Sequence, residues 1–108
     1  MIEIQSAPDS SVICRPHGAL DIDTATELRH LTGEILHPEL DLVFDLSQVD
    51  YIDAVGASAL VGSVRRVRAV GGQSRLSQVN PRVQWVLEVI GIEKYLAANP
   101  ASGQSDAA

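Results

Sequence analysis

LVFDLSQVDYIDAVGASALVGSVRRVRAVGG, residues Leu42 to Gly72, is the stretch on which the fold turns. It opens on Leu42-Val43-Phe44, an apolar run whose β-branched and aromatic content suits a buried strand. Asp45 to Asp50 is polar and reads as a turn. Asp53 then stands where a carboxylate caps a helix, accepting hydrogen bonds from first-turn amides. Ala57, Leu60, Val61, Val64 and Val67 recur at helical spacing and predict a helix from about Ala54 to Val70. Gly71-Gly72 ends it, and Arg65, Arg66 and Arg68 occupy the end where the helix dipole favours cations.

On a wheel at about 100° per residue, the core-facing stripe of this helix is centred between Val64 and Ala57. Val55 projects almost directly away from it, and Ala59 and Gly62 follow on the side of Val55. The first turn, whose amides have no partner within the helix, is therefore expected to carry a solvent-facing valine on a strip of small residues. A single exposed valine is ordinary. An apolar helix start bordered by Ala54, Gly56, Ala59 and Gly62 is equally the composition of a contact surface for another protein.

Outward from this stretch, Ile2 to Gln5 alternates as a short edge strand, and Ala7-Pro8-Asp9-Ser10 is turn chemistry. Ser11 to His17 is a second strand completing a hairpin, with Pro16 near its end or at an edge. Gly18 lets the chain swing into a loop carrying Asp21 and Asp23. Thr24-Ala25-Thr26-Glu27 has capping-box spacing, and Leu28, Leu31 and Ile35 give the helix that follows a buried side. It stops by His37, which precedes Pro38. Leu40 to Leu46 is the third strand and the centre of the sheet.

Gln73 to Val79 is a short strand, and Asn80-Pro81 begins a third helix. Val83, Val86, Leu87 and Ile90 face the core there, Trp85 is half exposed, and Gly91 ends the helix. Tyr95-Leu96 adds a strand residue or two. Residues 97–108, AANPASGQSDAA, are small and polar and are expected to be a disordered tail. The expectation is one α/β domain over residues 1–96: a mixed sheet of four to five strands, three main helices mostly on one face, and right-handed parallel crossovers.

A chain of 108 residues holds one core. Eight basic and fourteen acidic residues give a net charge of −6, which disfavours nucleic acid and anionic membranes as partners. Cys14 is the only cysteine and has no disulfide partner within the chain; among Val12, Ile13 and Arg15 it reads as a small strand hydrophobe. There is no basic and apolar leader, and no apolar run approaches the ~20 residues that span a bilayer, so a cytoplasmic protein is expected.

His17, His30 and His37 have no third ligand at zinc spacing, and no metal or cofactor is expected. Asp21, Asp23, Asp45, Asp50 and Asp53 cluster at strand ends. Cap positions account for Asp23 and Asp53, and turn positions for Asp45 and Asp50, better than acid–base chemistry does. Gly56 and Gly62 lack the lysine and the spacing of a phosphate loop.

Three segments resemble one family. DLSQVDYIDAVGASALVGSVRRVRAVGG is similar to the STAS domain of anti-sigma factor antagonists, whose pattern is D-L-S-x-V-x-x-I/M-D-S-S-G-L-G-x-L followed by R/K and GG. Gly18 to Arg29, GALDIDTATELR, resembles its G-E-L-D-x-x-T-A-x-x-L-R, and Val86 to Ile92 its V-L-x-L-x-G-L/I. The resemblance implies a regulatory protein that binds an anti-sigma factor of the serine-kinase type and releases a sigma factor. It implies no enzymatic activity.

It also implies a partner face of Ala54, Val55, Gly56, Ala59 and Gly62, with Asp21 and Asp53 at its border. The family's phosphorylated serine falls on Val55, which has no hydroxyl. Ser58 lies nearly a turn deeper, about 60° away, and reads as a small residue at a packed helix boundary rather than a displaced phosphosite. The alternative is a STAS subunit of a larger assembly, such as a lipid-transport ATPase or a stressosome-like complex.

Overall fold

The computed structural model describes residues 1–91, the side chain of Ile90 excepted. The expectations for Tyr95-Leu96 and for 97–108 lie outside the described residues. The chain runs β1 (Ile2–Ser6), β2 (Val12–Pro16), β3 (Gly18–Leu20), α1 (Ile22–Ile35), β4 (Asp41–Asp45), β5 (Val49–Ile52), α2 (Ala54–Ala69), β6 (Gln73–Ser77) and α3 (Pro81–Ile90). Four strands form a mixed sheet in the order β1-β2-β4-β6. β1 and β2 are an antiparallel hairpin, whereas β2–β4 and β4–β6 pair in parallel, as crossovers through α1 and α2 require.

Two elements differ from the sequence expectation. Gly18–Leu20 and Val49–Ile52, read as a loop and part of a turn, pair in parallel as a separate two-stranded sheet. At three and four residues they are too short to show a period. They are held by each other, with the Gly18 amide donating to the Gln48 carbonyl at 2.9 Å.

Helix α1 also starts earlier than the Thr24 capping box predicts. Asp21 is its cap, accepting from the Asp23 and Thr24 amides at 3.2 and 3.4 Å. Thr24 lies inside the first turn, and its hydroxyl donates to the Ala19 carbonyl at 2.7 Å. Asp23, expected to cap, is an exposed residue of that turn.

The core lies between the four-stranded sheet and the helices. Leu42 and Phe44 of β4 meet Leu28 of α1, Leu60, Val64 and Val67 of α2, and Val83 and Leu87 of α3. α1 packs along α2, where the buried Thr32 hydroxyl bonds the Ser63 hydroxyl at 3.2 Å. α3 packs on β5, and Asn80 secures it by donating to the Val49 carbonyl at 2.7 Å while accepting from the Val83 amide at 2.9 Å. Trp85 is more exposed than half-way, at 64%.

The sheet positions that alternate with the core residues carry an ion-pair network. Arg15 joins Glu3 at 3.0 Å and Asp45 at 2.9 Å, His17 joins Glu3 at 3.0 Å, and Arg75 joins Asp41 at 3.1 Å.

Candidate functional site: the start of the long helix

Asp53, in extended conformation at φ −114°, ends β5 and caps α2, its Oδ1 accepting from the Gly56 amide at 2.9 Å. Its own amide donates to the Leu20 carbonyl at 3.4 Å. The end of β3 is thereby drawn against the first turn of α2, and the two helix starts are brought to one end of the domain.

This junction explains Gly56. A Cβ there would stand 1.8 Å from the Leu20 carbonyl oxygen and 2.5 Å from its carbon, so only glycine lets the two backbones approach. Gly56 is accordingly buried beneath Leu20, not on the contact surface expected of it. Ala59 is likewise withdrawn, at 3% exposure. The wheel placed it opposite the sheet, but α1 covers that flank of α2. Ser58, expected at a packed boundary, is exposed instead.

The remaining predicted residues stay accessible. Ala54 is exposed, Val55 is 40% exposed, and Gly62 is half-exposed with nothing within 4 Å of where a Cβ would be. Asp21 and Asp53 sit at the border, but their carboxylates are turned onto backbone amides as caps. Sequence reasoning missed Ile22, which is 63% exposed on the first turn of α1. Its signal was an isoleucine between two aspartates in a stretch read as a loop.

Among the described residues no group of three or more His, Cys, Asp or Glu is placed to hold a metal ion. The three histidines pair separately with Glu3, Glu34 and Glu39. Cys14 is buried in the core, and that burial, helped by the charge of Glu27, pushes its thiol up to about 12, away from any reactive thiolate. No helix among the described residues is long and apolar enough to cross a membrane.

The mixed four-stranded sheet, the short parallel pair and the three helices define a small α/β domain. The STAS domain family matches residues 1–105, and this chain belongs to that family. Relatives to which it is similar are anti-sigma factor antagonists. BtrV of Bordetella bronchiseptica, a candidate anti-sigma factor antagonist, is 27% identical over 101 residues, covering 93% of this chain and 84% of BtrV. The anti-sigma-B factor antagonist of Bacillus subtilis is 26% identical over 76 residues, 70% of each chain. The unphosphorylated anti-sigma factor antagonist SpoIIAA shares the fold with a TM-score of 0.71 at 18% identity, over 100% of this chain and 89% of SpoIIAA, a protein also solved in a phosphorylated form.

Proposed function

We propose that this chain binds an anti-sigma factor of the serine-kinase type through the start of α2 and so frees a sigma factor, acting by binding and not by catalysis. The observation that carries the reading is Val55: an accessible apolar side chain on the first turn of a helix whose cap carboxylate is already engaged. A phosphate on this turn would add about two negative charges beside the carboxylates of Asp21 and Asp53 and would oppose docking. Valine offers no hydroxyl, so the tip stays in the unphosphorylated, docking-competent state, and control passes to protein abundance or to another ligand.

The test incubates the purified protein with ATP and the anti-sigma factor kinases of its source genome, then reads intact mass and complex formation. The expected result is unchanged mass and a persistent complex. A stoichiometric phosphate mapped to Asp53–Ser58, with loss of the complex, overturns the reading. The same experiment reads the exposed Ser58 hydroxyl, which stands about 4.5 Å along the helix from Val55.

A further inference from the structure

The two crossover helices carry matching stripes. On α2, Val55, Gly62 and Arg66 fall within about 40° of one another along about 16 Å of helix. On α1, Ile22, Arg29 and Gly33 do the same over a similar length. Each stripe is apolar at its start and cationic further along. Because β2, β4 and β6 are parallel, α1 and α2 run in the same direction, and they pack side by side. The apolar starts therefore share one end and the arginines come together beyond them.

The Arg66 side chain reaches the main chain of α1 at Arg29. Arg66 Nη1 donates to the Arg29 carbonyl at 3.1 Å, turning the guanidinium across onto α1. Gly33 makes the room, since a Cβ there would lie 3.0 Å from Arg66 Nη2. The dipole at the end of α2 favours a cation such as Arg66. It does not account for the crossing to α1, nor for Arg29 in the middle of its helix.

Neither arginine forms an ion pair among the described residues, although Arg29 lines a shallow cleft on α1 with Asp23 and Glu27. The positions three and four residues away are Ala25, Thr26, Thr32 and Gly33 around Arg29, and Gly62, Ser63, Ala69 and Val70 around Arg66, with no carboxylate among them. Among the described residues neither arginine has an acidic partner, whereas Arg15 and Arg75 do. A chain of net charge −6 thus holds the Arg66 guanidinium against the backbone of α1 at the turn that carries the exposed Arg29, on the helix pair that begins at its apolar tip.

We infer that Arg29 and Arg66 form a carboxylate-binding notch, and that the protein docked on the Ile22–Val55 tip places an Asp- or Glu-rich segment there. The inference rests on the reading of that tip as the docking end. The planar fork of arginine suits carboxylates, and charges at the rim of an interface act on encounter rate and salt dependence. The partner is thereby specified: an apolar patch with acidic side chains roughly 10–16 Å away.

Calorimetric titration of the purified anti-sigma factor kinases of the source genome against wild type, Arg29→Glu, Arg66→Glu and Val55→Glu tests this. Arg82→Glu, on the exposed first turn of α3, serves as control. Each reversal at the notch is expected to weaken binding about tenfold, more at low salt than at high, and Arg82→Glu to leave it unchanged. Loss of binding by Val55→Glu with full binding by both notch reversals overturns the notch and leaves the tip. Full binding by Val55→Glu with loss at both notch reversals overturns the tip instead. A short polyglutamate peptide, followed by amide chemical shifts at low salt, probes the notch without a partner: shifts centred on Arg29, Gly33 and Arg66 support it, and their absence overturns it.

Discussion

Gly56→Ala is the sharpest perturbation of the junction on which the site is built. In an open helix this change stabilises by about 0.5–1 kcal/mol, because alanine loses less backbone entropy on folding. Here the new methyl would stand 1.8 Å from the Leu20 oxygen and 3.1 Å from Leu20 Cγ, so backbone, not a flexible side chain, must yield. The Asp53–Leu20 hydrogen bond, already 3.4 Å long, lengthens or breaks as β3 is pushed away. Overpacking of this kind costs about 1–3 kcal/mol.

With the lost bond, about 2–3 kcal/mol is expected, which for a domain of this size lowers the thermal midpoint by roughly 10–20 °C. Gly62→Ala, six residues along the same helix with nothing within 4 Å, is the control and is expected to gain up to about 1 kcal/mol. Differential scanning fluorimetry and urea titration read both. A Gly56→Ala protein as stable as wild type refutes the close approach of Leu20 to α2 and, with it, the shared end of the two helices.

Further outcomes follow from single contacts. Asp53→Ala removes the α2 cap and is expected to cost about 1 kcal/mol, measured by urea unfolding. Asp45 is subject to burial, which raises its pKa, but the bonds from Ser47 and the ion pair with Arg15 outweigh this and hold it below the usual 3.8. Glu3 is also held low, by its bonds with His17 and Arg15. A depressed folded pKa means that the unfolded chain takes up protons first as pH falls. The stabilisation is therefore present above about pH 4 and lost below it. Urea midpoints from pH 6 down to pH 2 should show the loss, with a flatter profile for Asp45→Asn. Cys14, its thiol raised to about 12, should resist a thiol reagent such as DTNB in the native protein and react once it is unfolded.

Much of the architecture was legible because the long elements advertise their period. Ala57, Leu60, Val64 and Val67 are buried as their spacing requires, and Leu42 and Phe44 mark β4 as an interior strand. The misreadings share a physical origin: each depended on a neighbour that a helix wheel or a local motif does not contain. Ala59 faces away from the sheet yet is covered by α1. Gly56 faces Leu20, a residue 36 positions earlier. Asp21 and Thr24 compete to cap α1, and the contest is settled by the Ala19 carbonyl, which takes the Thr24 hydroxyl. Ile22 became visible as a surface residue only once the helix was known to start there.

Val55→Glu tests the proposed role most directly, because the substitution should leave the fold intact. Val55 is 40% exposed, and a glutamate in the first turn complements the positive end of the helix dipole. Unfolding at or slightly above the wild-type midpoint is expected. Calorimetric titration of the cognate anti-sigma factor into the two proteins should then show tight binding by wild type and binding weakened at least about a hundredfold by Val55→Glu, as burial of an unpaired charge demands. Equal affinities for the two proteins would contradict the account.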